Sequence, residues 1–393
     1  MEFAHVLLML VVMLAAAKLL AETAERVSQP AVLGELLAGL ILGDSLLRLV
    51  DPHHEILHVL AELGAVLLLF EIGLESDITE LFRVGWRSLG VAVVGVVVPA
   101  VLGFAVSMLW GQPTLTAAFI GATLTATSVG ITARVLKDLG VLRWGESQIV
   151  LGAAVADDVI GLLILAVFSG LAQGESLSFW QVGRVLLLAL LFLAGALTVG
   201  LKASHWMLRI AQRMRAQGAL VTAALVLCFT LAALAQLVGL APIVGAFSAG
   251  LVLARTEHRL RITDRATALA DLLVPLFFVM MGAQMNLRAI DVTTPAGRSV
   301  VVLAALLIVV AVLGKLVSGL TLWRTRMRPW LVGVGMVPRG EVGLIFATIG
   351  LQQKVFDITV YTAVLILVMV STLITPPWLR LLVRRYGALQ KQT

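Results

Sequence analysis

The chain is short of charge. Of its 393 residues only 13% are Asp, Glu, Lys or Arg, whereas 60% are hydrophobic, and the mean hydropathy is +1.04. A soluble domain carries about 25% charged residues, so this composition excludes a soluble globular protein. Cysteine is scarcer still. Cys228 is alone, which excludes an intramolecular disulfide, and its apolar surroundings read as those of a small core hydrophobe. The six histidines fall near the ends of apolar blocks or in loops, so none is placed as a mid-membrane relay. No metal-ligand spacing and no cofactor motif appears. The N-terminal "MEFAHVLLML" has no basic stretch ahead of its apolar run, so the first block reads as mature protein rather than a signal peptide. The loops are short, and no appended soluble nucleotide-binding or catalytic domain is expected.

Long apolar blocks are what the chain does have. Thirteen can be drawn, near 4–21, 30–49, 57–75, 85–110, 114–134, 147–171, 180–206, 217–238, 240–255, 267–286, 297–323, 331–351 and 358–381. Many approach the ~20 residues a helix needs to span ~30 Å of hydrocarbon. The short alternating segments of a membrane β-barrel are absent. The fold class is therefore an all-α polytopic membrane protein of about 13 transmembrane helices. The short ninth block is divided from the eighth by Gly239, as a tight helical hairpin requires.

The net charge of +6 is topological. With thirteen spans, 21 of the 29 Lys and Arg fall on one side, among them Arg134, Lys137, Arg209, Arg213, Arg324 and Arg384. Five fall on the other, and Lys18, Lys315 and Arg339 lie within or at the edge of blocks. Cytoplasmic loops hold the excess of Lys and Arg. The N-terminus is thus expected outside and the C-terminus in the cytoplasm, and nucleic-acid binding is set aside.

The two halves echo each other. "GELLAGLIL" (Gly34–Leu42) resembles "GAFSAGLVL" (Gly245–Leu253) at an offset of 211, and "GLESDI" (Gly73–Ile78) resembles "GAQMNL" (Gly282–Leu287) at 209. An odd number of helices lies between the copies, which predicts an inverted repeat of the kind found in secondary transporters. The fifth block holds "GATLTATSVGITARV" and the twelfth "VGVGMVPRGEVGLIF", with Ser128 and Arg339 again 211 apart. Glycine weakens a helix and proline removes an amide donor. Both blocks are expected to be interrupted, with free N–H and C=O groups able to bind ions at membrane depth. Pro338, Arg339 and Glu341 flank the second interruption. A local Arg339–Glu341 pair supporting the broken backbone is expected there.

The charges inside the blocks point to chemistry. Asp157 and Asp158 sit in "LGAAVADDVIGLLIL", and Lys315 lies midway along the eleventh block. Each charge at a helix centre costs about 2.5–3.5 kcal/mol to insert, so an ion or proton site is the default reading. Adjacent helical residues point ~100° apart. One aspartate can pair with Lys315 while the other faces a water-filled cavity. A proton and a cation competing for one carboxylate amount to exchange when the site faces one side at a time. Glu35 and Glu71 also lie inside blocks and are expected to pair with Lys18 or line a funnel.

These stretches resemble those of the NapA-type bacterial sodium/proton antiporters, of the second monovalent cation:proton antiporter group. The resemblance rests on "ATSVGITARVLKDLGVL", "GAAVADDVIGLLILAV" and "VGVGMVPRGEVGLIFA" and covers about residues 28–378. It implies an NhaA/NapA-like fold with two crossing broken helices. It also implies a homodimer in the bacterial inner membrane, working by an elevator movement. Residues 1–84 and 215–292 would be scaffold and dimerisation helices, 85–172 and 293–393 the mobile core with a short cytoplasmic tail, and 173–214 a linker helix. Asp158 would be the cation and proton carboxylate, Asp157 would pair with Lys315, and Thr127 and Ser128 would line the ion site. Such paired aspartates with this lysine are similar to those of electrogenic exchangers, which move two protons per sodium. The visible departure is Glu71, where relatives often carry an uncharged residue. The expected activity is exchange of Na⁺ or Li⁺ for H⁺ across the bilayer, not enzymatic catalysis. A K⁺/H⁺ exchanger or potassium-efflux transporter is the near rival. An intramembrane aspartyl protease is a remote one, because it needs its aspartates on different helices. A channel would be separated from a carrier by its turnover rate.

Overall fold

The computed structural model describes residues 2–52, 54–172, 179–285 and 294–390. Arg288 and Lys391 among the loop cations, and residues 286–287 at the end of the second repeat segment, lie outside the described residues. The described chain is all-helical. The elements are α1 (Glu2–Arg26), α2 (Ala31–Leu42), α3 (Glu55–Glu75), α4 (Ile78–Arg83), α5 (Gly85–Leu109), α6 (Thr114–Thr123), α7 (Val129–Asp138) and α8 (Gly145–Ala172). There follow α9 (Phe179–Arg213), α10 (Ala219–Leu237), α11 (Pro242–Leu253), α12 (Arg259–Ala283), α13 (Pro295–Gly319), α14 (Pro329–Gly335), α15 (Glu341–Gln352) and α16 (Ile358–Gln390). Among the described residues nine helices are long and apolar enough to cross a membrane, and α2, α6, α11 and most of α15 form shorter apolar helices.

The apolar blocks locate these helices better than their ends. α12 begins eight residues before the tenth block, and α9 and α16 run past the seventh and thirteenth. Hydropathy drops at the first Arg or Lys, yet these residues are good helix formers and carry the helix onward. The second block fails the other way. Its apolar run reaches residue 49, but α2 stops at Gly43, and Leu46, Leu47 and Leu49 are exposed in the turns that follow. Ser45 there donates to the Met285 carbonyl at 2.5 Å, tying this turn to the end of α12. The α10–α11 hairpin turns at Gly239, whose φ of 89° favours a residue without Cβ.

Glycine crossings divide the molecule into two groups. A Cβ on Gly39 would lie 2.8 Å from Gly282 Cα, so α2 and α12 touch backbone to backbone. A Cβ on Gly73 would lie 2.9 Å from Gly250 Cα, which brings α3 and α11 together in the same way. The two contacts are counterparts under the sequence repeat. So are Gly34 against Leu20 and Ala21 of α1, and Gly245 against Leu231 and Ala232 of α10. The second group joins α5 to α6 at Gly103 and Gly121, α5 to α13 where Gly314 meets Pro99, and α13 to α14 where Gly319 meets Pro329. Its apolar end is filled by Phe119, whose ring meets those of Phe168, Phe346 and Phe356 edge-on at 5.9, 6.2 and 5.3 Å. α9 packs on α10 and α11 and also reaches α8.

Candidate ion site between two helix breaks

The interruptions in the fifth and twelfth blocks face each other. α6 ends at Thr123 and α7 starts at Val129, while α14 ends at Gly335 and α15 starts at Glu341. The Ser128 amide donates to the Pro338 carbonyl at 2.8 Å, and Thr132 Oγ1 donates to the Gly335 carbonyl at 2.6 Å. Gly340 leaves room for Ser128: a Cβ there would lie 2.8 Å from the Ser128 Cβ. Each break ends a helix whose last carbonyls have no intrahelical partner and carry the negative end of the helix dipole.

Two buried cations meet those carbonyls. Arg339, fully buried, donates through Nη2 to the Leu124 carbonyl at 2.7 Å and through Nη1 to the Val337 carbonyl at 2.6 Å. Longer contacts reach the Met336 and Ala311 carbonyls at 3.4 and 3.5 Å. One guanidinium thus serves the C-terminal ends of both α6 and α14. The expected local pair between Arg339 and Glu341 falls on a Glu341 side chain that lies outside the described residues. Arg339's own carbonyl accepts from Thr372 Oγ1 of α16 at 2.5 Å. Lys315, also fully buried, donates to the Thr125 carbonyl at 2.6 Å and lies 3.5 Å from Asp157 Oδ2.

The two aspartates therefore see different surroundings. Both are buried, at 3% and 8% exposure for Asp157 and Asp158. Asp157 faces Lys315 on α13. Asp158 lines a small cavity with Thr127 and Ser128, closed on its far side by Leu69, Ile243 and Phe277. That cavity has room for about one water. The residues around it supply a carboxylate and two hydroxyls, the hard oxygen ligands an alkali cation takes.

The profile described as "Sodium/hydrogen exchanger, transmembrane" matches residues 9–385. The chain belongs to the sodium/hydrogen exchanger family. A high-affinity Na⁺/H⁺ antiporter of Synechocystis is 39% identical, over 96% of this chain and 89% of that protein. A Na⁺/H⁺–K⁺ antiporter of Bacillus cereus is 34% identical over 92% of each chain. The sodium/proton antiporter of Methanocaldococcus jannaschii at pH 8 superposes with a TM-score of 0.67, covering 99% of this chain and 98% of that one. At 19% identity that likeness speaks for the fold alone. This exchanger-family chain is a multi-pass membrane protein and a transporter rather than an enzyme.

Away from the breaks, the structure gives the two other intramembrane acids in this exchanger, Glu35 and Glu71, partners on α7. Neither Glu35 nor Glu71 pairs with Lys18. Arg134 Nη2 lies 3.7 Å from Glu35 Oε1, and Lys137 forms an ion pair with Glu71, which also accepts from Thr267 Oγ1. Arg134 is the last residue of the fifth block and Lys137 falls just past it, so hydropathy places both at a helix end or in a loop. α7 runs on through both and presents them to α2 and α3. The repeat does signal this region, because Arg134 and Lys137 lie within ten residues of the first break.

Proposed function

We propose that this chain exchanges Na⁺ or Li⁺ for H⁺ as a secondary transporter, with Asp158 as the carboxylate for which cation and proton compete. The observation that carries this reading is the unlike environment of two adjacent buried carboxylates: Lys315 faces Asp157, and Asp158 opens on a cavity with Thr127 and Ser128. Release of protons from the Asp157, Asp158 and Lys315 set leaves negative charge that a sodium ion can neutralise. If two protons leave for each sodium bound, one net charge crosses per cycle. Lys315 then acts as pair partner and proton carrier, while Pro338, Arg339 and Glu341 hold the broken backbone.

An elevator movement fits the packing. The close glycine crossings lie within the group α1–α3 with α10–α12 and within the group α5–α8 with α13–α16, whereas Gly130 of α7, facing the other group, meets the side chains of Leu69 and Phe277. We assign residues 1–84 and 215–292 to a scaffold that also dimerises, 85–172 and 293–393 to the moving core, and 173–214 to the linker. Thirteen spans in an NhaA/NapA-like arrangement, an outside N-terminus and a cytoplasmic C-terminus in a bacterial inner membrane complete the proposal. The loop cations support this orientation.

A potassium/proton exchanger is the second reading, favoured by the relative named a Na⁺/H⁺–K⁺ antiporter. Proteoliposomes with an imposed pH gradient, challenged with Na⁺, Li⁺ and K⁺, separate the two. Proton flux is expected with Na⁺ and Li⁺, and flux with K⁺ alone overturns the sodium reading. Charge movement is tested in the same vesicles. A membrane potential contributes about 2.3 kcal/mol per charge per 100 mV. Clamping it with potassium and valinomycin should change both rate and final gradient. Equal exchange with and without an opposing potential would mean one proton per sodium.

A further inference from the structure

The two helix groups meet through two unlike surfaces. Beside Asp158 the contact is apolar, with Leu69, Val244 and Phe247 facing Val129, Leu151 and Val155. Such a surface is non-directional and costs little to slide along. At the far end of α7 its character changes. Arg134, held at 3.0 Å by Asp138 of its own helix, approaches Glu35 of α2. Lys137 pairs with Glu71 of α3 and lies 3.9 Å from Glu75. Glu71 is fixed from a third side by Thr267 of α12. The two acids are 1% and 2% exposed, whereas the two cations are 15% and 21% exposed. The scaffold thus offers two buried carboxylates, of which Glu71 is anchored by Thr267, and the broken segment offers cations with one face to water.

We propose that Arg134 and Lys137 form a latch. They hold the core's first broken segment against α2 and α3 in the state seen here, and the latch opens each time the core moves. This proposal rests on the exchange reading above and adds a control point to it, about ten residues from the ion site. An ion pair needs its one partner at contact distance, whereas an apolar surface finds equivalent contacts as it slides. A shift of α7 along α3 therefore separates the pairs well before the apolar surfaces part. Glu71 and Glu35 do not move with the core, so parting leaves them buried without their cations. That favours the latched arrangement over its alternatives. The latch sets how often the core moves rather than what the site binds.

The test uses the chain's single cysteine to advantage. In a Cys228→Ser background, the pair Lys137→Cys and Glu71→Cys is joined by a short reducible bis-methanethiosulfonate reagent in proteoliposomes. Joining should cut cation-driven proton flux at least tenfold, and reductant should restore it. Wild-type flux in fully joined protein would show that α7 and α3 never part, and would overturn the latch. If this pair does not insert stably, Arg134→Cys with Glu35→Cys gives the same reading. Separately, Glu71→Gln keeps volume and the Thr267 contact but removes the pair. It should change the maximal rate at saturating Na⁺ at least threefold, and the exchange Lys137→Glu with Glu71→Lys should bring it back within twofold. An unchanged rate in Glu71→Gln would also overturn the proposal. Failure of the sodium reading shows up elsewhere, as absent Na⁺-driven flux in wild-type vesicles, and the joined pair is then read on K⁺-driven flux.

Discussion

Replacing Lys315 by Ala removes a fully buried ammonium that has two jobs. It donates to the Thr125 carbonyl at 2.6 Å, at the first helix break, and it sits 3.5 Å from Asp157 Oδ2. The variant leaves a buried carboxylate without its cation, which costs about 3–5 kcal/mol in measured pairs. It also strips a carbonyl of its donor, worth about 1–3 kcal/mol. The two terms overlap, because Asp157 can take up a proton and spare part of the first. About 3–5 kcal/mol is therefore expected in total, and at about 2 °C per kcal/mol for a large chain the melting temperature in detergent should fall by about 6–10 °C. The double variant Lys315→Met with Asp157→Asn separates the terms. It has no buried charge to strand, so it should melt above Lys315→Ala despite carrying one more substitution. An unchanged melting temperature in Lys315→Ala, or a double variant less stable than the single by the full cost of Asp157→Asn, would refute the pairing argument.

Two further outcomes follow from the packing. Arg339→Ala removes charge-assisted bonds at 2.6 and 2.7 Å that serve both helix breaks; at about 1.5–3 kcal/mol each it should lower the melting temperature at least as far as Lys315→Ala, and a wild-type melting curve would contradict its role as the brace between the breaks. Gly250→Ala places a methyl 2.8 Å from Gly73 Cα and should cost about 1–3 kcal/mol by overpacking, whereas Gly90→Ala, with no atom within 4 Å of its Cβ position, should stay within about 1 kcal/mol of wild type; equal melting temperatures for the two would argue against the close crossing of α3 and α11.

The parts of this molecule that depend on local sequence are legible in the sequence itself. A run of apolar residues declares a helix wherever it lies, and Gly with Pro338 weakens one wherever it occurs. The fifth and twelfth blocks therefore announced their interruptions, and the 211-residue offset paired them. The paired aspartates stood out because their insertion cost is so high. What stayed hidden depends on tertiary neighbours. Arg339 engages backbone carbonyls from Leu124, Val337, Met336 and Ala311, and a carbonyl acceptor has no residue identity for a sequence to display. Glu35 and Glu71 showed as costly charges, but their cations come from α7, about 65–100 residues away along the chain. Lys18 lies nearer to both along the chain, but the fold brings α7 to them instead. The end of α2 was misread for a different reason: Leu46, Leu47 and Leu49 are apolar enough to extend a helix on paper, and Gly43 ended it first.

The proposed exchange rests most directly on Asp158. Asp158→Asn keeps the side-chain volume and the cavity shared with Thr127 and Ser128, and it removes the carboxylate for which proton and cation compete. The decisive measurement is Na⁺-driven proton flux in proteoliposomes reconstituted with this variant, alongside its melting temperature in detergent. The account predicts flux at the level of empty vesicles from a protein that melts as wild type does. Flux equal to wild type from a folded Asp158→Asn protein would contradict it.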